Sequence, residues 1–85
     1  MPYYTYIVEC ADKSLYTGCT NNLEKRIVQH NLSNQGAHYT KIRRPVTLKY
    51  FEVFKTLAAG RYREAEIKSF TRNQKLELIL NNHSK

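Results

Sequence analysis

Four residues in the N-terminal third of the sequence have types and spacings that could act on a phosphate ester. Tyr6 and Tyr16 lie in two stretches dense in β-branched and aromatic residues, and Arg26 and His30 follow four residues apart. Arginine offers a planar, always-charged fork that suits phosphate, and histidine can titrate near neutral pH. In an arbitrary sequence, the tyrosines would more simply pack a sheet and the Arg–His pair would lie on a solvated helix face.

Two further residues suggest binding roles. Gly18 follows Tyr16 by two residues, and a glycine inside a strand marks a bulge or a close backbone approach. We therefore expect a bulge that turns the chain into a helix, a gap that admits a substrate phosphate, or both. Glu64 could bind a hard cation through its carboxylate oxygens. The alternative for Glu64 is a surface ion pair with Arg61, Arg63 or Lys68, which contributes little to stability.

The elements that position these residues are indicated by periodicity and capping patterns. Strands are predicted for Tyr3 to Cys10, Leu15 to Thr20 and Val46 to Phe54. Helices are predicted from a cap at Asn21 to about Leu32, from a cap at Thr56 to about Ser69, and from Arg72 to Asn81 after a Thr71–Gln74 capping box. The alternation in the third strand breaks at Phe51, which indicates a bulge or burial on both faces. The order β-β-α-β-α-α predicts an α+β fold, with a three-stranded antiparallel sheet flanked by helices. A chain of 85 residues makes one domain, residues 1–85.

The length of the first hairpin loop decides whether the two tyrosines meet. A two-residue loop pairs Cys10 with Leu15 and places Tyr6 and Tyr16 on opposite faces of the sheet. A three-residue loop pairs Cys10 with Ser14 and places both rings on one face. The residues of the loop leave both alternatives open.

Charge and cysteine usage narrow the class of protein. Lysine and arginine number 14 against 7 aspartate and glutamate, giving a net charge of +7. Such an excess favours a polyanionic partner, with nucleic acid the commonest, although a basic protein without such a partner is the simpler alternative. The two cysteines and three histidines fit no common zinc pattern. We see no signal peptide and no apolar run long enough for a membrane span, so we expect a cytoplasmic protein with reduced thiols.

A series of short motifs resembles the GIY-YIG nuclease domain. The first two motifs correspond to Thr5-Tyr6-Ile7 and Tyr16-Thr17-Gly18, and Asn22 to Arg26 with His30 follows. The stretches AHYT, RRPV and REAEIK resemble the small stand-alone members. The resemblance runs from about Tyr3 to Ile79. The sequence departs from the pattern at the leading glycine of the first motif, at Thr17 and at Gly60.

This resemblance implies a metal-dependent endonuclease that hydrolyses phosphodiester bonds. By this likeness Tyr6 helps to deprotonate the attacking water, Tyr16 lies hydrogen-bonded nearby, Arg26 holds the scissile phosphate and His30 orients Tyr6 or shares its proton. Glu64 would bind Mg²⁺ or Mn²⁺ in the same cleft, whereas Glu66, about 200° away around the helix, would point elsewhere. Since both hydroxyls must reach one phosphate, we expect the three-residue hairpin loop, Ala11 to Lys13, or an equivalent bulge.

The same resemblance gives the basic residues a role in nucleic-acid binding. The residues expected to contact the nucleic acid are Gly18, His38, Lys41, Arg43, Arg44, Arg72 and Lys75. DNA is the expected partner, with RNA as the alternative, in DNA repair or nucleic-acid processing. Two other classes stay open: a basic module that binds nucleic acid without cleaving it, and a protein-interaction domain whose charge serves only solubility.

Overall fold

The structure is a computed structural model that describes residues 2–33 and 35–83, without the side chains of residues 82 and 83. Its elements are β1 (Tyr3–Glu9), β2 (Leu15–Thr20), α1 (Leu23–Leu32), α2 (His38–Lys41), β3 (Thr47–Phe54), α3 (Leu57–Lys68) and α4 (Arg72–His83). The predicted α+β fold and order of elements are confirmed. The short helix α2 was not predicted, because its four residues are too few to show a helical period.

The β1–β2 hairpin has the three-residue loop. The Cys10 amide donates to the Ser14 carbonyl at 2.8 Å, and Val8 pairs with Tyr16. Lys13, the last loop residue, has a φ of 72°, which is the left-handed conformation that closes such a loop. The expected register is therefore confirmed, and Tyr6, which lies opposite Gly18, shares a sheet face with Tyr16.

The sheet has the strand order β2-β1-β3, and all its pairs are antiparallel. Ile7 pairs with Tyr50 and Val8 pairs with Leu48, so Lys49 is an extra residue on β3. The predicted irregularity is thus a β-bulge, located two residues before Phe51. The bulge allows Leu48 and Tyr50 to contact opposite faces of the sheet.

Helices cover both faces of the central strand, so β1 is buried on two sides. On one face Tyr6, Val8, Cys10 and Val46 form a core packed against Leu23 and Ile27 of α1. On the other face Ile7 packs with Ile67 of α3 and Ile79 of α4. Because side chains alternate along a strand, β1 supplies both cores with successive residues. The molecule is a three-layer arrangement with the sheet in the middle.

The predicted caps hold for two helices and shift by one residue in the third. Thr56 accepts from the Ala59 amide at 3.1 Å, and Thr71 and Gln74 form a reciprocal capping box. The N-cap of α1 is Asn22, whose side chain accepts from the Lys25 amide at 3.0 Å. The prediction of Asn21 as the cap was wrong, because the sequence carries two adjacent asparagines and either can cap in isolation.

Candidate functional site

Tyr6 and His30 form a buried pair between the sheet and α1. The Tyr6 hydroxyl lies 2.7 Å from His30 Nε2, and the two side chains are 1% and 0% exposed. β1 places Tyr6 on the face that α1 covers, and His30 lies in the last turn of that helix. The fold therefore brings together the first tyrosine and the histidine of the sequence motifs.

Gly18 provides the space that the Tyr6 ring occupies. A Cβ atom at Gly18 would lie 2.4 Å from the Tyr6 hydroxyl oxygen and 2.6 Å from Cζ. The β1–β2 register is continuous here, so Gly18 makes neither the expected bulge nor free room for a phosphate. The physical reason is that Gly18 lies directly across the ladder from Tyr6, whose ring leans over it.

A threonine that sequence reasoning missed lies on the far side of His30. Thr40 Oγ1 lies 2.7 Å from His30 Nδ1 and donates to the Ala37 carbonyl at 3.0 Å. Thr40 is completely buried. The threonine is within the AHYT stretch, but no periodicity marks it as a partner of a histidine ten residues earlier.

Burial perturbs both members of the Tyr6–His30 pair. It raises the pKa of Tyr6 to about 12, although Arg26 acts in the opposite direction through hydrogen bonding and charge. It lowers the pKa of His30 to about 4, with further lowering by the charges of Arg26 and Arg44. The resting pair is therefore a neutral phenol and a neutral imidazole. Full proton transfer from Tyr6 to His30 without substrate is therefore strongly unfavourable.

Tyr16 lies at the more open side of this pair. Its ring meets the His30 ring edge-on, with centroids 5.5 Å apart, and stacks on Tyr39 of α2 at 5.8 Å. The Arg43 guanidinium lies over the Tyr39 ring, 3.9 Å from the ring centroid. Tyr16 is only partly buried. Of the two motif tyrosines, Tyr16 is thus the one that faces solvent.

Arg26 is half-buried and lies near the Tyr6–His30 pair, one helical turn before His30. Its Nη1 donates to the Gln29 side chain at 3.0 Å and to the Gln35 carbonyl at 2.9 Å. Both acceptors are neutral. A phosphate oxygen is a stronger acceptor for a guanidinium, so a bound phosphate could replace them.

Arg43 and Arg44 have structural contacts that the sequence did not indicate. Arg43 donates to Asp12 at 3.1 Å and to the Tyr39 carbonyl at 3.0 Å, which joins the hairpin loop to α2. Arg44 donates to the His30 carbonyl at 2.5 Å and also to the carbonyls of Gln29 and Ser33. Arg44 thereby donates to backbone carbonyls at the end of α1, where helix carbonyls lack intrahelical partners. These contacts occupy Nε and Nη1 of Arg43 and Nε and Nη2 of Arg44, so a phosphate contact by either arginine would have to use another N–H or replace one of these partners.

Glu64 and Glu66 point in different directions from α3. The Glu64 side chain is 12% exposed, and its charge contributes to raised pKa values at Tyr6 and Cys19, where burial is the main cause. Its influence on Tyr6 is the smallest of those that act there, and α3 covers the sheet face opposite to the one that α1 covers. Glu66 instead pairs with Arg63 at 2.8 Å, on the side of the helix that faces β3.

The chemistry of Glu64 fits a single divalent metal ion. Its carboxylate is paired with Lys68 Nζ at 3.0 Å and lies 3.8 Å from Arg61 Nη1. Among the described residues, no group of three histidine, cysteine, aspartate or glutamate side chains could hold a metal. One carboxylate suits Mg²⁺, which keeps most of its waters and takes substrate oxygens. Within the described part of the chain, Thr17 Oγ1 is buried without a hydrogen-bond partner, on the sheet face that α3 covers.

The other basic residues that are expected to contact nucleic acid lie in two separate places. His38 and Lys41 belong to α2, beside Tyr39 and therefore beside Tyr16. Arg72 and Lys75 belong to α4, in the layer on the opposite face of the sheet, and burial lowers the pKa of Lys75. The structure does not bring α4 together with the Tyr6 cluster.

A large open groove lies between the sheet and the N-terminal part of α1. Its volume is about 830 Å³, and its walls include Tyr4, Leu23, Val28, Phe51 and Val53. None of the Tyr6, Tyr16, Arg26 or His30 side chains lines it. The perturbed titratable groups are elsewhere, so we place the candidate site at the Tyr6–His30 pair rather than in the groove.

None of the helices in the described part of the chain is both long and apolar enough to cross a membrane.

Comparisons with known proteins identify the family. The family described as the GIY-YIG catalytic domain matches residues 2–77. A UPF0213 protein of Staphylococcus saprophyticus is 57% identical over 77 residues, covering 91% of this chain and 93% of that protein. A UPF0213 protein of Syntrophus aciditrophicus is 52% identical over 79 residues, covering 93% and 91%.

Two solved structures are similar as well. The solution structure of the E. faecalis protein EF2693 has a TM-score of 0.68 and 36% identity, covering 100% of this chain and 90% of that one. The UPF0213 protein BH0048 of Bacillus halodurans has a TM-score of 0.59 and 38% identity, covering 93% and 83%. With the motif tyrosines, arginine and histidine gathered at one place and the family matched over most of its length, the chain belongs to the GIY-YIG domain family.

Proposed function

We propose that the protein is a metal-dependent endonuclease that hydrolyses phosphodiester bonds, with DNA as its first expected substrate and RNA as the alternative. The observation that carries the proposal is the buried Tyr6–His30 hydrogen bond at 2.7 Å, beside Arg26 and within the electrostatic reach of Glu64. A phenol, an imidazole, a guanidinium and a carboxylate supply a proton acceptor, a phosphate clamp and a metal ligand.

Arg26 binds the scissile phosphate in this proposal. The guanidinium exchanges the neutral Gln29 and Gln35 acceptors for charged phosphate oxygens. This exchange also draws the guanidinium towards the substrate. Tyr6 is 1% exposed in the resting protein, so water does not reach its oxygen there. In this proposal, water reaches the oxygen once Arg26 has turned towards the phosphate.

Tyr6 then moves the proton of the attacking water. The water O–H bond breaks as the hydroxide oxygen attacks phosphorus, and the proton passes to the Tyr6 oxygen. The original Tyr6 proton passes to His30 Nε2, so no free tyrosinate accumulates. The cost of this transfer in the resting protein falls when the negative phosphate lies beside the forming imidazolium. Solvent protonates the leaving oxygen.

Glu64 would hold Mg²⁺ or Mn²⁺, and the ion would supply charge stabilisation at the phosphate and the leaving oxygen. Lys68 must release the Glu64 carboxylate before an ion binds it, since the ammonium lies at 3.0 Å. Glu66 has no part in this site, because Arg63 holds it.

The net charge of +7 supports a nucleic-acid substrate. His38 and Lys41 would contact phosphates next to Tyr16, while Arg72 and Lys75 would contact only a nucleic acid that passes around the sheet. Such contacts position a strand without reading its sequence. We place the activity in DNA repair or nucleic-acid processing in the cytoplasm.

A second candidate is a basic module that binds nucleic acid without cleaving it. It is favoured by one observation: the proposed catalytic groups all have intramolecular partners, with Arg26 on Gln35 and Glu64 on Lys68. In this reading those contacts persist when nucleic acid is bound.

A cleavage assay with matched glutamate variants tests the proposal. The parent should cleave duplex, branched or single-stranded substrates in Mg²⁺ or Mn²⁺ and lose activity in chelator. Glu64→Gln should lower the rate by about 100-fold or more, because the metal ligand loses its charge. Glu66→Gln, two residues away on the same helix, should cleave like the parent. Salt-sensitive binding without cleavage by the parent would instead establish the binding module.

A further inference from the structure

A hydrogen-bond chain through Thr40 extends the candidate site beyond the motif residues. It runs from the Tyr6 hydroxyl to His30 Nε2 at 2.7 Å, and from His30 Nδ1 to Thr40 Oγ1 at 2.7 Å. Thr40 then donates to the Ala37 carbonyl at 3.0 Å. All three side chains of the chain are at most 1% exposed, so water does not replace these partners.

Each hydroxyl in this chain has a single proton, which limits the arrangements. A backbone carbonyl can only accept, so the end of the chain at Ala37 is fixed. When Thr40 donates to the Ala37 carbonyl, its oxygen can only accept a hydrogen bond from His30, so the proton of that bond is on Nδ1. His30 Nε2 then has no proton and accepts from Tyr6. Every donor in the chain has an acceptor in this arrangement.

The opposite arrangement leaves a donor without an acceptor. If Thr40 donated to His30 Nδ1, the imidazole would carry its proton on Nε2 and donate to Tyr6. The Tyr6 proton would then need another acceptor. Among the described residues its hydroxyl is hydrogen-bonded to His30 Nε2, and Arg26, which also acts on it, is a donor only. Burying an unpaired hydroxyl is unfavourable.

We propose that Thr40 is a positioning residue that fixes the Nδ1–H tautomer of His30, so that Nε2 faces Tyr6 as a proton acceptor. The catalytic part of this inference rests on the proposed nuclease function, whereas the tautomer itself does not. Thr40 touches neither substrate nor metal. Its hydroxyl acts through the imidazole, which must present a bare nitrogen before it can receive the Tyr6 proton. The short helix α2 matters because it places Thr40 at this distance.

The tautomer can be measured directly on the unmodified protein. The ¹⁵N chemical shifts of the two imidazole nitrogens, and their couplings to the ring protons, report which nitrogen carries hydrogen. We expect protonated Nδ1 and unprotonated Nε2 for His30 at pH 7, in the absence of metal and nucleic acid. An Nε2–H tautomer in the parent would overturn the inference without any variant.

Variants then assign the effect to the Thr40 hydroxyl. Thr40→Ser keeps the hydroxyl and should keep the Nδ1–H tautomer. Thr40→Val keeps the shape and loses the acceptor, so the tautomer should shift towards Nε2–H. Thr47→Val, at an exposed threonine in β3, is the matched control. If Thr40→Val does not fold, Thr40→Ala serves in its place, since it removes the hydroxyl without adding bulk. An unchanged Nδ1–H preference in the hydroxyl-free variant would overturn the role of Thr40.

Kinetics separate positioning from a merely structural role. In Thr40→Val we expect kcat to fall by about 10- to 100-fold with KM nearly unchanged, and Thr40→Ser to restore most of the rate. Equal kcat values in the parent and Thr40→Val would contradict the catalytic part. If the parent does not cleave at all, the proposed function fails, while the tautomer measurement still decides the hydrogen-bond inference.

Discussion

Replacing Gly18 by alanine tests how the site is built. The new methyl carbon would lie 2.4 Å from the Tyr6 hydroxyl oxygen and 2.6 Å from Cζ, distances that real Cβ atoms essentially never show. The paired strands hold the backbone in place and the aromatic ring cannot bend. The whole Tyr6 ring must therefore move away from Gly18. The Tyr6–His30 hydrogen bond, at 2.7 Å, would break as it moves.

The magnitude follows from two contributions. Forcing a methyl group into a packed core costs about 1–3 kcal/mol, and losing a buried hydrogen bond costs about 1 kcal/mol more. We therefore expect Gly18→Ala to lower the free energy of unfolding by about 3 kcal/mol. For a domain of this size the melting temperature would fall by about 12–24 °C. Cleavage activity should fall together with the loss of the Tyr6–His30 contact.

Urea unfolding followed by circular dichroism measures this loss, and a second glycine provides the control. A Cβ at Gly60 would lie 3.0 Å from the Cys19 sulfur and at least 3.6 Å from other atoms. Alanine also favours a helix over glycine by about 1 kcal/mol, so Gly60→Ala should be close to neutral. The cost of Gly18→Ala should shrink in a Tyr6→Leu background, which lacks the clashing ring atoms. Parental stability of Gly18→Ala, or an undiminished cost in that background, would refute the reasoning.

Three further predictions follow from the same geometry. Arg26→Ala should lower cleavage by at least about 100-fold with little loss of nucleic-acid affinity or stability. The control Lys25→Ala should leave cleavage, nucleic-acid affinity and stability unchanged. A fully active Arg26→Ala protein would rule out its role as the phosphate clamp. Arg44→Ala should destabilise the fold by about 1–3 kcal/mol in urea unfolding, because carbonyls at the end of α1 lose a donor. The same variant should leave the salt dependence of nucleic-acid binding unchanged. A reduced salt dependence would identify Arg44 as a phosphate contact. The charged and titratable groups facing His30 are Arg26, Arg44, Tyr6 and Tyr16. The pKa of His30 is about 4 in the folded protein and 6.5 in the unfolded chain. Between these values the unfolded state binds a proton that the native state does not bind. Stability is therefore lost as pH falls from about 6.5 to about 4. The loss should be about 3 kcal/mol, measured as the pH dependence of the urea midpoint. His38→Asn, at an exposed histidine, should keep this dependence and His30→Gln should remove it; the same dependence in His30→Gln would assign it to other groups.

The sequence by itself determined the fold and the positions of the motif residues. The dense β-branched and aromatic stretches gave the strands, and the caps at Thr56 and Thr71 gave the starts of α3 and α4. These signals are local, since each depends on residues within a few positions of one another. The hairpin register could be reduced to two alternatives, of which the residues alone did not choose one.

The tertiary structure decided how the side chains are used. The space beside Gly18 is taken by a ring from the neighbouring strand, the guanidinium of Arg44 closes the end of a helix, and Thr40 meets His30 across ten residues. The local sequence around a glycine, an arginine or a threonine does not indicate such a partner, because each contact arises only when separate elements pack against each other. A basic residue in the sequence thus indicates a charge, and only the packed chain shows whether that charge faces a ligand or a backbone carbonyl.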